Sequence, residues 1–142
     1  MHIWDKPRLS AAVSFAAWKH GKGETIGMAA ADRKKALVTG ASRGIGRAVA
    51  SALAASGYDL YMTCRRNTGA LEGLAEELRV QYGTKCSCYT FPIHDKGKVA
   101  EMFRDIPYLD VLVNNAGISY IGLLTDMTYR EWQEGIDTNL SA

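Results

Sequence analysis

The sequence predicts an α/β protein: a partial doubly wound parallel sheet of Rossmann type, with strand order 3-2-1-4. Three observations carry that expectation. Strand-like and helix-like periods alternate from Ala36 onward. A glycine-rich turn, Thr39-Gly40-Ala41-Ser42-Arg43-Gly44-Ile45-Gly46, directly follows the apolar run Ala36-Leu37-Val38 and opens a helix. A second turn, Asn114-Asn115-Ala116-Gly117, follows the apolar run Val111-Leu112-Val113. With right-handed crossovers the first and fourth strands lie side by side at a topological switch point. Both turns then fall at their carboxyl ends, where open α/β sheets bind ligands.

The first strand is expected over Ala36–Thr39. A helix follows over Gly44–Ala55, with Ile45, Val49, Ala52 and Leu53 on its inner face and Ser56-Gly57 as its stop. Leu60–Thr63 reads as the second strand. The next helix, from about Gly69 to Gln81, places Leu71, Leu74, Ala75 and Leu78 at core spacing and stops at Gly83. Lys85–Phe91 is the third strand. Asp95 is suited to cap a helix whose apolar stripe is Val99, Met102, Phe103 and Ile106, closed by Pro107. Val111–Val113 reads as a fourth strand of the fully buried kind. Thr128-x-x-Glu131 is a capping box opening a helix with Trp132, Ile136 and Leu140 inward.

At 142 residues, 47% hydrophobic and 23% charged, the chain has the composition of one globular domain. A net charge of +2 with scattered basic residues argues against a nucleic-acid partner. The one dense basic trio, Arg33-Lys34-Lys35, is expected to solvate the start of the first strand. No stretch approaches the roughly 20 apolar residues that a bilayer requires. Cys64, Cys86 and Cys88 have neither metal spacing nor an even-numbered disulfide framework, so no metal is expected and reduced thiols in a cytoplasmic protein are. Residues 1–31 read as an N-terminal extension, disordered or mis-started upstream of Met28, and 32–142 as the cofactor-binding part of the domain. Leu9 to Trp18 only faintly mimics a signal peptide, because Ser10 and Ser14 dilute it and Asp5 spoils its basic start.

The glycine turn has mechanics suited to a dinucleotide. Gly40 permits the tight turn, Gly44 lets a pyrophosphate approach the backbone, and Gly46 allows close helix packing. The helix that follows offers unpaired N–H groups and a positive dipole end to an anion. An acidic residue ending the second strand would favour a free ribose 2′-hydroxyl. That place is instead Cys64, followed by Arg65 and Arg66, with Arg43 inside the turn. Guanidinium groups there are suited to clamp a 2′-phosphate, so the cofactor expected is NADP. Ordinary solvated arginines are the alternative, and for Arg66 the two are evenly matched.

Together with Asn139, which lies in Asp137-Thr138-Asn139-Leu140, these turns resemble the short-chain dehydrogenase/reductase family over Lys35 to Ala142. The resemblance implies cofactor contacts from Gly40, Ser42, Arg43, Gly44, Ile45, Gly46, Arg65, Ile93, Asn115, Ala116 and Gly117. It implies a catalytic role for Asn139, holding a water in a proton relay, and a structural role for Asp110. Pro92-Ile93-His94-Asp95 departs from the family's usual Asp-Val-x-Asp: Pro92 lacks the acid that meets adenine, leaving the Ile93 backbone N–H. His94 is expected to be an exposed loop residue.

In the family a Tyr transfers the substrate proton, a Lys lowers its pKa, a Ser orients the carbonyl and the nicotinamide carries hydride. None of the seven tyrosines here has Lys four residues on. With a family domain of about 250 residues, Ala142 is expected to be a truncation before the later strands. The isolated chain is then expected to be marginally stable, to associate through the open edge of its fourth strand and to catalyse no hydride transfer. The stretch Asn114 to Asp126 is similar to 3-oxoacyl-acyl-carrier-protein reductases of fatty acid biosynthesis and to elongation factor P 5-aminopentanone reductases. The resemblance implies NADPH-dependent reduction of a carbonyl, small or carried on acyl carrier protein, by a full-length homo-oligomer. A 3-oxoacyl thioester is the first expectation and a 5-aminopentanone-modified protein an alternative. A non-catalytic dinucleotide-binding or interaction remnant is the alternative from another class.

Overall fold

The computed structural model describes residues 33–142. The expected N-terminal extension lies outside the described residues. Four parallel strands, β1 (Lys35–Val38), β2 (Asp59–Cys64), β3 (Cys86–Thr90) and β4 (Val111–Val113), form one sheet in the order β3-β2-β1-β4. The helices are α1 (Gly44–Ala55), α2 (Thr68–Tyr82), α3 (Lys96–Asp105) and α4 (Tyr129–Asn139), with a single 3-10 turn at Leu124–Asp126.

Alternation along β1 places the sheet between two apolar layers. Ala36 and Val38 pack into one core with Ala50, Ala54, Leu71, Leu74, Ala75 and Leu78 from α1 and α2. Leu37 faces the other way, toward Phe91, Met102 and Ile106. Parallel strands need such cover on both faces, because their crossover helices are the only elements placed to exclude water. Each crossover helix is bounded as its residues dictate. Asn67 Oδ1 accepts from Ala70 N at 3.3 Å to cap α2, which ends at Gly83 with φ 63°. Asp95 Oδ1 accepts from Lys98 N at 3.0 Å to cap α3.

The four α2 core positions are buried as the spacing predicts. Three other faces differ. In α1 the fully buried residues are Gly46, Ala50 and Ala54, with Val49 and Leu53 beside them, whereas Ile45 is 76% exposed and Ala52 is exposed. A helix seated this close to the sheet presents its small residues to it. In α3, Phe103 is exposed while Met102 and Ile106 are buried. In α4, Trp132 and Leu140 are exposed and Thr138 is the buried residue. The fully buried reading of β4 is also corrected. Among the described residues it pairs only with β1, and Leu112 remains 51% exposed because no described helix covers that face.

The basic trio does more than meet solvent. Arg33 donates to the Tyr82 carbonyl at 3.3 Å and approaches Asp59 at 4.0 Å, tying the start of β1 to the α2–β3 connection. Lys35 stands over the Tyr108 ring, 4.9 Å from its centre. Asp110 holds the head of β4 to β1: its Oδ2 accepts from Lys35 N at 2.8 Å, and its own N–H donates to the Lys35 carbonyl at 2.9 Å.

Candidate cofactor cleft

The two turns meet where the sheet order places them. Thr39 N donates to Val113 O at 3.0 Å, extending the β1–β4 ladder by one residue, and the chain then turns away at Gly40, with φ 69°. The Thr39 hydroxyl oxygen accepts from the backbone N–H of Asn115 and of Ala116, each at 2.9 Å. Asn115 Nδ2 donates to the Thr39 and Gly40 carbonyls at 2.9 and 3.3 Å. Thr39, which the sequence reading did not single out, is therefore the clasp between the turns. Its signal was a hydroxyl residue placed between a buried strand and a glycine turn.

The glycines divide the work by what surrounds them. A Cβ on Gly46 would stand 2.4 Å from the Gly40 carbonyl oxygen and 2.5 Å from Asn115 Nδ2. One on Gly40 would meet Ala116 Cα at 3.0 Å. Gly44, in contrast, has φ 58° and nothing within 4 Å of where its Cβ would stand. It opens onto a cavity of about 670 Å³ at the carboxyl ends of the strands. That volume lies within the usual range for small-molecule sites. The backbone N–H groups at the start of α1 have no helical partners, and no acidic residue stands in its first turn.

All eleven residues expected to contact a cofactor line this one cavity: Gly40, Ser42, Arg43, Gly44, Ile45, Gly46, Arg65, Ile93, Asn115, Ala116 and Gly117. Arg66 and Pro92 line it too, as does His94, which is half-buried rather than exposed, with Nδ1 3.5 Å from the Thr138 hydroxyl. The exposure of Ile45 follows from its facing the cavity instead of the sheet.

Asn139 is placed elsewhere. Its Oδ1 accepts from Ile118 N at 2.9 Å and its Nδ2 donates to Ile118 O at 2.8 Å. It stands at the last residue of α4, beside a smaller hollow of about 330 Å³. Both ends of the amide thus help to hold the segment after Gly117 against the helix. Gly117 itself is kept small by that amide, since a Cβ there would lie 3.3 Å from Asn139 Oδ1.

Arg65 has a partner the sequence did not disclose. Its guanidinium is ion-paired with Glu134 of α4, whose other carboxylate oxygen accepts from the Tyr120 hydroxyl at 2.6 Å. The Tyr120 hydrogen bond, then Arg65, hold the Glu134 carboxyl below its ordinary pKa, and the same bond raises the Tyr120 phenol.

An open α/β sheet of order 3-2-1-4, with a glycine turn and a clasped second turn at its switch point, defines a Rossmann-type nucleotide cleft. The sequence pattern of the short chain dehydrogenase family matches residues 34–142, and the chain belongs to that family. It is similar to the 3-oxoacyl-[acyl-carrier-protein] reductase FabG of Staphylococcus aureus, 40% identical over 111 residues that make up 75% of this chain and 45% of that protein. The chain thus spans under half the length of that relative. Among solved structures it is similar to an alcohol dehydrogenase from the archaeon Thermococcus sibiricus complexed with 5-hydroxy-NADP (34% identity, TM-score 0.69, 77% of this chain and 48% of that one). It is also similar to a short-chain dehydrogenase from Sphingobium yanoikuyae in complex with NADPH (28% identity, TM-score 0.70, 76% and 43%). Among the described residues no helix is long and apolar enough to cross a membrane.

Proposed function

We infer that this chain forms the NADPH-binding portion of a cytoplasmic short-chain oxidoreductase that reduces a carbonyl to an alcohol. The observation that carries the reading is Gly44. Its φ of 58° and the open space before it leave a cradle at the start of α1 that any Cβ would fill. A pyrophosphate seated there reaches the unpaired N–H groups of the helix directly. When bound, NADPH supplies the hydride for the reduction. The chain's residues bind and orient it: Arg43, Arg65 and Arg66 for the 2′-phosphate, Ile93 at the adenine side, and Ala116 and Gly117 where only small residues let a ribose pass. Asn139 enters the reading as holder of a relay water, a role left to the second amide hydrogen and the second carbonyl lone pair that its two hydrogen bonds to Ile118 do not use.

A 3-oxoacyl thioester on acyl carrier protein is the substrate proposed, supported by the name and 40% identity of the Staphylococcus aureus relative. The whole protein is proposed to act as a homo-oligomer. Fluorescence titration with NADPH and NADH tests the cofactor reading. NADPH should bind at least about tenfold more tightly, as expected for charge-assisted contacts to a phosphate, and Arg43→Ala should erase most of the difference. Equal binding of the two overturns the phosphate assignment, and binding of neither overturns the dinucleotide reading.

A second reading, a chain that binds the dinucleotide without turning it over, is favoured by one observation. The Asn139 amide already holds the Ile118 backbone with both its oxygen and its nitrogen. Consumption of NADPH by the purified 142-residue chain in the presence of a 3-oxoacyl thioester would overturn it.

A further inference from the structure

Arg65 reaches the cavity wall at the end of β2 but is not a lone cation there. Its partner, Glu134, comes from α4, 69 residues further along the chain. One Glu134 oxygen meets the guanidinium and the other the Tyr120 hydroxyl, so the carboxylate is fixed from two sides. The Arg65 and Glu134 side chains retain 33% and 24% of their surface, leaving the pair within reach of a solute in the cavity.

The contact with Glu134 engages Nη2 of Arg65, and the guanidinium's other N–H donors remain to meet a phosphate. A 2′-phosphate approaching them meets a carboxylate already in place, of the same sign of charge as its own oxygens. A 2′-hydroxyl carries no charge with which to compete and leaves the pair intact. Resting on the reading that the cavity takes NADPH, we propose that Glu134 is a specificity-determining residue. It is the counter-ion with which the 2′-phosphate must share Arg65 or which it must displace, and its charge lowers the preference for NADPH over NADH that the arginines alone would set. Arg43 and Arg66, which line the same cavity, are not ion-paired among the described residues and give the phosphate its first hold.

The test is a double-mutant cycle in the 142-residue chain, with Glu134→Gln, Arg65→Ala and the pair together, each checked for its fold by circular dichroism. NADPH and NADH are titrated separately by nucleotide fluorescence at low salt. Glu134→Gln keeps the size of the side chain and removes the competing charge. It should raise the NADPH-to-NADH affinity ratio by about 1.5- to 5-fold, the span of a solvent-accessible ion pair. The same substitution in the Arg65→Ala background should leave the ratio nearly unchanged. Tyr120→Phe, which releases one side of the carboxylate, should move the ratio in the same direction by less.

An unchanged ratio in Glu134→Gln overturns the proposal, as does an equal shift for both nucleotides or an effect that persists without Arg65. A lower melting temperature with no change in ratio assigns the pair to structure alone and overturns it too. The underlying reading fails separately: wild-type protein that binds neither nucleotide, or binds both equally with Arg65→Ala making no difference, removes the phosphate clamp and this proposal with it.

Discussion

At the scale of single residues, Gly44 and Gly46 lie two positions apart and are glycine for opposite reasons. Gly46 is enclosed: an added methyl would collide with the Gly40 carbonyl and the Asn115 amide, both of which are held in place. Gly46→Ala should therefore cost about 1–3 kcal/mol of stability, the usual range for overpacking, and weaken NADPH binding by shifting the turn. Gly44 is open, and its constraint is its left-handed backbone. Gly44→Ala should cost about 1–2 kcal/mol from conformation while placing a methyl in the cradle, so the loss of nucleotide affinity should exceed that expected from stability. Urea unfolding and NADPH titration on both variants separate the two cases. The spacing of these glycines was legible in the sequence because a strand-to-helix turn against an anion restricts residue size locally. The Thr39 clasp and the Glu134 partner were not. Each pairs residues roughly 70 or more positions apart, and no local pattern reports such a pairing.

At the scale of elements, α2 and α4 show how far local rules reach. The α2 stripe and its stop at Gly83 match the sequence reading, because its large aliphatic residues leave one face to bury, while the Asn67 cap was not read. In α1 the periodicity is half right: Val49 and Leu53 pack at the margin of the core, but close approach to the sheet buries the small stripe Gly46, Ala50 and Ala54 and leaves Ile45 and Ala52 exposed. The α4 capping box forms as read. Thr128 Oγ1 accepts from Glu131 N at 3.2 Å, and Glu131 Oε2 accepts from Thr128 N at 2.9 Å. Thr128→Ala should cost about 1 kcal/mol, read as faster amide hydrogen exchange in the first turn of α4. The Thr128 hydrogen bonds also hold the Glu131 carboxyl below its ordinary 4.5, as Tyr120 and Arg65 do for Glu134. A carboxyl whose pKa falls on folding stabilises the fold above its ordinary value and loses that contribution as pH drops through the lowered one. The protection of α4 amides, corrected for the intrinsic pH dependence of exchange, should therefore fall selectively below pH 4.5.

At the scale of the whole molecule, the sheet of the described residues ends in two edge strands, β3 and β4. The described residues leave β4 unpaired along its outer edge, with Leu112 half-exposed. Ile121, Leu123, Leu124, Trp132 and Leu140 add apolar surface on the elements that follow it. An exposed apolar edge pairs readily with another chain. Light scattering should show concentration-dependent association of the chain, and Leu112→Lys should reduce it, since a charge on an edge strand opposes pairing. The opposite edge strand, β3, has its own signature. Burial pushes the Cys86 thiol up from 9.0 to about 11. A thiol whose pKa rises on folding contributes stability that is complete below pH 9 and is lost between 9 and about 11. The urea midpoint should fall over that interval, Cys86→Ala should flatten the fall, and alkylation of Cys86 at neutral pH should require unfolding.

By itself the sequence determined the order of elements, the parallel sheet, the caps and the two turns at its switch point. Each of these depends on residues within a few positions of one another: apolar period, glycine, capping side chain. Only the tertiary structure decided which helix face lies on the sheet, that β4 is a half-exposed edge, and that Asn139 closes on Ile118. It alone placed Glu134 against Arg65, turning an arginine legible as a phosphate ligand into one half of an ion pair. The physical reason is common to all four. Charge partners, edge exposure and packing distance are set by elements far apart in the chain, and they take effect only once the sheet has brought those elements together.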